Sequence, residues 1–185
     1  FQQHQERVHQ FKKQDASGVP WEVDIVPFGD ITDSNTNIAW PPGNDIVMSV
    51  LGFSEVYQHA LTATITPDVK IKVASPAGML LLKLIAWLDR ENGKRLKDAA
   101  DIHHLISSYS KIPEIYDDIY KGIYMESQGW DEVKASAMKL ATDTRDIVTA
   151  ESNRYVQANL LRDEEKIEQL VIEMSRNTNE QFKDC

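Results

Sequence analysis

The sequence predicts an α+β fold, in which a small sheet domain precedes a C-terminal helical bundle. In the first 74 residues, short segments rich in β-branched and aromatic side chains alternate with turn residues, which is typical of strands. From residue 75 onward, apolar residues recur at helical spacing and helix-start signals appear. Strands followed by helices, rather than alternating with them, indicate the α+β class. We therefore place a sheet domain at residues 1–74 and a helical region at residues 75–185.

Two antiparallel hairpins are predicted in the sheet domain. The strands of these hairpins occupy residues 7–12, 21–28, 61–65 and 69–74. Asp15-Ala16-Ser17-Gly18 and Pro67-Asp68 supply the turns between them. Between the hairpins we expect a long loop at residues 29–44 and a short helix at residues 54–60 with Ser54 as its N-cap.

The second region should be helical throughout. The predicted helices occupy residues 76–90, 97–109, 113–125 and 131–141, with a short one at 145–150 and one or two more within 152–176. Ser75-Pro76 is the clearest start signal, because a capping hydroxyl precedes a proline at the first helical position. Residues 177–185 are polar and are expected to fray.

The central stretch of the sequence is residues 75–107. From Met79 to Leu88 every residue is apolar except Lys83, so this helix should be buried on nearly all sides. A lone ammonium there is costly unless it meets a carboxylate, a phosphate or water. Lys83, Trp87 and Arg90 fall at i, i+4 and i+7 and share one face. We expect this face to line a site for an anion such as phosphate, together with a metal.

A second run of charged residues follows, consisting of Lys94, Arg95, Lys97, Asp98 and Asp101. Asp98 and Asp101 are three residues apart, so they project from one side of the first turn of the next helix. Carboxylates are also favoured in a first turn by the helix dipole. A structural role for the pair therefore stays open beside a functional one.

Composition limits the classes of partner. The net charge of −9 repels nucleic acid phosphates, so an extended nucleic-acid surface is not expected. The single cysteine, Cys185, is the last residue and fits a reducing compartment such as the cytoplasm. No apolar run reaches the roughly 18 residues of a membrane span. The sequence does not begin with Met, and we expect it to be part of a longer protein.

Five motifs occur in an order known from one protein family. They are VDIVPFG (23–29), IAWPP (38–42), MSVLGFSE (48–55), VASPAGMLLLKLIAWLDR (73–90) and KDAADIHHLISSY (97–109). Together they resemble nucleotidyltransferases of the AbiEii/AbiGii toxin type, within the DNA polymerase β-like superfamily. The resemblance covers residues 7–109 well and the helical tail loosely. It implies a small mixed sheet flanked by helices, with a helical C-terminal part.

The resemblance also implies a function: transfer of a nucleotidyl group from a nucleoside triphosphate, with Mg²⁺. In the superfamily, a Gly-Ser turn and an Asp-x-Asp strand precede a third acidic residue on a neighbouring strand, which Asp24 matches. Lys83, Lys97, Asp98 and Asp101 match charged positions late in the catalytic region, and Arg90 shares the helix face of Lys83. The implied site is Asp24 as catalytic residue and metal ligand, with Lys83, Arg90, Lys97, Asp98 and Asp101 binding the nucleotide and its phosphates.

A non-catalytic alternative stays open: a module of the same fold that binds a nucleotide without turnover, or a partner such as a cognate antitoxin. Asp24 alternates with Val23 and Ile25, so it also fits a polar residue on a solvated strand face. The ammonium of Lys83 also fits a side chain that reaches the surface while its stem lies on the apolar face.

The first prediction concerns metal-dependent transfer. The Gly-Ser turn and the Asp-x-Asp pair are not in this sequence, and we expect them upstream of Phe1. Phosphoryl transfer depends on metal ions held by clustered carboxylates. Residues 1–185 alone should therefore show no transfer when incubated with labelled triphosphates and Mg²⁺. Robust self-labelling or pyrophosphate release by residues 1–185 would contradict this expectation.

Overall fold

The computed structural model describes residues 1–5, 7–34, 36–40, 43, 47–90 and 93–180. Two compact units are present, Phe1–Ser54 and Glu55–Cys185. Small antiparallel sheets come first and helices follow, so the predicted α+β class is confirmed. The boundary that we placed between residues 74 and 75 stays a prediction.

The first unit contains a three-stranded antiparallel sheet. Its strands are β1 (Gln2–Gln3), β2 (Gln10–Gln14) and β3 (Pro20–Asp24), in the order β1-β2-β3. The predicted first hairpin is thus confirmed, with Phe11 opposite Val23 in the ladder, but its second strand ends at Asp24 rather than at residue 28. Asp15 closes its turn by accepting hydrogen bonds from the backbone N–H groups of Ser17 and Val19, at 2.8 and 3.0 Å.

A second small sheet lies where we predicted only a loop. Strands β4 (Asn37–Ala39) and β5 (Val47–Ser49) pair antiparallel, and Ile38 of β4 is buried. The prediction of an unbroken loop at residues 29–44 was therefore wrong. Three-residue strands are too short to show the alternation that identifies a strand in a sequence. Pro41 and Pro42 lie outside the described residues.

The second predicted hairpin is confirmed as β6 (Leu61–Thr66) and β7 (Val69–Val73), paired antiparallel. The short helix before it, α1 (Phe53–Gln58), begins earlier than predicted. Ser54 lies inside this helix, so its assignment as the N-cap was wrong.

The remaining helices are α2 (Pro76–Asp89), α3 (Leu96–Ser108), α4 (Pro113–Lys121), α5 (Ile123–Ser127), α6 (Glu132–Ile147), α7 (Ala150–Val156) and α8 (Glu164–Glu180). A 3₁₀ turn occupies Tyr109–Lys111, and a π-helical turn occupies Gln157–Leu161. The predicted helices at residues 76–90 and 97–109 are confirmed to within one residue at each end.

Three helix boundaries differ from the prediction. The helix expected at residues 113–125 is divided at Gly122, where a Cβ atom would come within 2.9 Å of the backbone oxygen of Asp118. Helix α6 continues to Ile147 and absorbs the start of the short helix predicted at 145–150. Helix α8 runs to Glu180 rather than fraying from residue 177.

The main core lies in the second unit around α2. Helix α2 packs against α3 and α6, and α3 packs against α8. The buried core residues are Leu80, Trp87, Ala99, Ile102, Tyr109, Leu140, Leu160 and Leu170. Within the described residues, no helix is long and apolar enough to cross a membrane. The apolar helix singled out from the sequence is thus the centre of the helical unit.

The second prediction concerns the start of α2. The Ser75 hydroxyl accepts a hydrogen bond from the backbone N–H of Gly78 at 3.2 Å. Replacing a capping serine by alanine costs about 1 kcal/mol, so Ser75→Ala should lower the free energy of unfolding by that amount in urea denaturation followed by helical circular dichroism. Ser54→Ala is the matched control, because Ser54 is exposed inside α1. Its effect should stay within about 0.5 kcal/mol, and a larger loss for Ser54→Ala than for Ser75→Ala would contradict the cap assignment.

Candidate functional site

The buried carboxylate of Asp98 contacts two cations, Lys83 of α2 and Arg90 directly after α2. The Asp98 side chain is 0% exposed, and it lies in the first turn of α3. One of its oxygens accepts a hydrogen bond from the Lys83 ammonium at 3.1 Å, and the other pairs with the Arg90 guanidinium. Both oxygens of a carboxylate that has left water are thereby satisfied, which a buried charge requires.

Asp101 completes this group, which we call the charged cluster: Lys83, Arg90, Asp98 and Asp101. The Asp101 carboxylate lies 2.6 Å from the Lys83 ammonium. Burial lowers the pKa of Lys83, but hydrogen bonds to Asp101 and Asp98 outweigh that effect and hold the pKa above its usual value. The ammonium therefore stays charged at neutral pH. It is 22% exposed, and the Arg90 side chain is 47% exposed.

The sequence suggested that Trp87 lies between the cations on an open face, but the structure places it elsewhere. Its indole is fully buried, and the Arg95 guanidinium stacks 4.2 Å from the ring centroid. The indole N–H donates to Glu173 of α8 at 2.8 Å, and Arg95 Nε lies 3.1 Å from both oxygens of the same carboxylate. Lys83 and Arg90 both contact Asp98 of α3, whereas Trp87 contacts Arg95 and Glu173 of α8.

The sequence reasoning missed Glu173 although a signal was present. Leu170 and Met174 lie three residues before it and one residue after it, and both belong to the apolar side of α8 that packs on the core. A lone charge on such a side needs a partner, by the same argument that we applied to Lys83. The partner, Arg95, immediately precedes α3 and therefore ties α8 to the first turn of α3, which carries Asp98.

A hydrogen bond from α7 also holds the end of α2. The carboxylate of Asp89 accepts a hydrogen bond from the hydroxyl of Tyr155 in α7. Burial, together with this carboxylate, raises the pKa of the Tyr155 hydroxyl. The hydroxyl consequently stays protonated and donates to Asp89 over the physiological pH range. Arg90 therefore directly follows a residue that this hydrogen bond holds in place.

The other predicted site residues lie elsewhere. Lys97 is exposed at the second position of α3. Asp24 is exposed at the end of β3, in the first unit, with Gln10 as its partner in the ladder. In the described parts of the chain, no three His, Cys, Asp or Glu side chains come together as metal ligands would. A shared site of Asp24 and Lys83 stays a prediction.

Trp40, which belongs to the IAWPP motif, lines a cavity of about 640 Å³ in the first unit. Its ring lies 4.9 Å from that of His9. The cavity is bordered by the strands β4 and β5 and by residues 27–33.

The third prediction separates buried from exposed lysines. Lys83→Met keeps the stem volume but removes one of two cations from the buried Asp98. Because Arg90 still pairs with Asp98, we expect a loss of about 1.5–3 kcal/mol in unfolding free energy, below the about 3–5 kcal/mol for a buried charge stripped of its partner. The difference in unfolding free energy between Lys83→Met and wild type should shrink once the pH rises above about 10.4, the pKa of lysine in the unfolded chain. It should vanish as the pH passes through the raised pKa of Lys83 in the folded chain.

Lys97→Met is the matched control. This lysine is exposed on α3, so its replacement should change the unfolding free energy by no more than about 0.5 kcal/mol. Equal stability of Lys83→Met and wild type at neutral pH would show that the ion pairs with Asp98 and Asp101 contribute nothing net.

Comparison with known proteins agrees with the resemblance seen in the motifs. A sequence model of one family, described as nucleotidyl transferase AbiEii toxin, type IV TA system, matches residues 4–180. No curated protein and no solved structure matches the sequence. The family match spans nearly the whole chain and includes the charged cluster. The chain therefore belongs to the AbiEii family of nucleotidyl transferase toxins of type IV toxin–antitoxin systems.

Proposed function

We propose that the full-length protein transfers a nucleotidyl group from a nucleoside triphosphate to an acceptor, and that the charged cluster binds the triphosphate. The observation that best supports this is the pairing of Lys83 and Arg90 on one buried carboxylate. Asp98 holds an ammonium and a guanidinium side by side while leaving part of each exposed. An ammonium has three donors and a guanidinium has five, so both retain donors for phosphate oxygens.

The roles within the cluster follow from burial. Asp98, which is fully buried, positions both cations. Asp101 and Lys97 are more exposed and can contact a nucleotide or its counterion. The two cations of the cluster (Lys83, Arg90) balance its two carboxylates (Asp98, Asp101), and the exposed Lys97 on α3 adds one positive charge in a chain of net charge −9. A local positive site on an acidic protein favours an anionic ligand there.

Mg²⁺ enters the proposal through the family, with Asp24 as one ligand. Magnesium is bound through carboxylates, waters and substrate phosphates, and such an ion would bridge phosphate oxygens and neutralise developing charge. Asp24 is a single exposed carboxylate, and the described residues contain no cluster of three potential ligands. They do not form a complete magnesium site by themselves, so we assign no catalytic step to the metal.

One observation favours the alternative of a non-catalytic module that binds a nucleotide or an antitoxin. Both carboxylates near Lys83 already engage its ammonium, at 3.1 and 2.6 Å. A cation satisfied in this way serves packing as well as recognition. Nucleotide binding by the full-length protein without label transfer to any acceptor would support this alternative.

The fourth prediction tests triphosphate binding at Lys97, the exposed lysine of α3 that we assign to the site beside the cluster. Lys97→Met should leave the fold intact and weaken triphosphate binding by the full-length protein about ten- to a hundredfold, since a charge-assisted contact contributes about 1.5–3 kcal/mol. Titration with a nucleoside triphosphate and Mg²⁺ measures the affinity, and label transfer measures the activity.

Lys70→Met is the matched control, because Lys70 is an exposed lysine on β7. It should bind triphosphate as wild type does. Equal affinities for the Lys97→Met and Lys70→Met variants would remove Lys97 from the proposed site.

A further inference from the structure

The second unit contains a cavity that the charged cluster does not use. Its volume is about 370 Å³, within the usual range of small-molecule sites. It lies among α2, α6, α7 and the π-helical turn Gln157–Leu161. None of the four residues of the charged cluster lines it.

A buried hydroxyl in this cavity has no partner. Ser152 is 0% exposed and lines the cavity, and its Oγ has no hydrogen-bond partner among the described residues. Ser136, equally buried on α6, both accepts from the backbone N–H of Ser110 and donates to the carbonyl of Ile106. Buried hydroxyls normally have hydrogen-bond partners, as that of Ser136 does. The Ser152 hydroxyl therefore marks a position for a polar atom that the chain does not supply.

The π-helical turn supports the same assignment. Gln157 and Leu161, the first and last residues of the turn, both line the cavity. Turns of this kind are rare and occur frequently at functional sites. Here the turn directly continues α7, the helix that carries Ser152.

The cavity has a polar end and an apolar end. Arg145 lies in the last turn of α6 and Ser152 in the first turn of α7, so both lie at the junction of these helices. Thr144 contacts the carbonyl of Ala77 at 3.4 Å, which places the start of α2 at this end. Leu84 lies two turns further along α2, and Leu161 lies beyond the end of α7. These two leucines lie away from the junction of α6 and α7, and we call their side the apolar end.

The lining identifies the class of ligand. Its apolar residues are aliphatic rather than aromatic, and Arg145 is its charged residue among those described. The Arg145 side chain is exposed, and its guanidinium lies 3.8 Å from the carboxylate of the adjacent Asp146. We propose that this cavity binds a medium-chain aliphatic carboxylate, with the carboxylate at Arg145 and Ser152 and the chain toward Leu84 and Leu161. The charged head then satisfies the Ser152 hydroxyl, and the chain fills apolar space that water fills poorly.

Calorimetric titration of residues 1–185 with sodium decanoate tests the proposal. We expect saturable binding of one decanoate per chain and no saturable binding of decyltrimethylammonium, whose head is cationic. Arg145→Gln should weaken decanoate binding about tenfold, as loss of a charge-assisted contact predicts. Arg154→Gln is the matched control, because Arg154 is exposed on α7 and does not line the cavity. It should bind as wild type does.

A pair of buried serines separates ligand binding from packing. Ser152→Ala should reduce decanoate affinity severalfold without lowering the melting temperature, because its hydroxyl has no partner to lose. Ser136→Ala should lower the melting temperature, since it leaves two buried backbone groups unpaired, but the folded protein should keep its affinity. The proposal is overturned by an absence of saturable decanoate binding, by equal binding of the cationic analogue, or by unchanged affinity in both Arg145→Gln and Ser152→Ala.

Discussion

A carboxylate with no access to water is the constraint on which the helical unit depends. Removing an ion such as Asp98 from water costs several kcal/mol, and the cost is offset only by well-placed opposite charges and hydrogen bonds. Lys83 of α2 and Arg90, which directly follows the last residue of α2, provide both, and they lie seven residues apart. The spacing of these cations thereby fixes the rotation of α2 relative to α3. A rotation of either helix would leave Asp98 unpaired in the core.

A second buried ion pair extends the same logic to the end of the chain. Glu173 of α8 accepts from both the Trp87 indole and Arg95, so one carboxylate connects α2, the turn before α3, and α8. Buried ion pairs are weak evidence for net stability, since apolar replacements often do as well. Their effect here is geometric: apolar packing tolerates small rotations, whereas two carboxylates with several directional partners select one arrangement. The charged cluster is held by this arrangement rather than by local structure alone.

Local signals in the sequence were sufficient for much of the fold. The Ser75-Pro76 start, the two hairpin turns and the apolar run of α2, interrupted only by Lys83, were each encoded within a few residues, and each was predicted. The three-residue strands β4 and β5, the break at Gly122 and the pairing of Glu173 with Arg95 depend on contacts that no short window contains. In the candidate site, Lys83, Arg90, Asp98 and Asp101 were predicted together because two adjacent helices carry them. Asp24 belongs to the other unit, and no spacing rule connects it to them.

Helix α2 relates the charged cluster to the cavity. A helix that is apolar all round must be covered on every side, and α2 departs from this pattern in two places. On the side of Lys83 and Arg90 the covering groups are charged and partly open to solvent. On the side of Leu80, Leu81 and Leu84 the covering is incomplete and leaves the cavity beside α6 and α7. Natural folds break packing rules mainly at functional sites. The two departures on α2 are accordingly where we place the nucleotide and the aliphatic carboxylate.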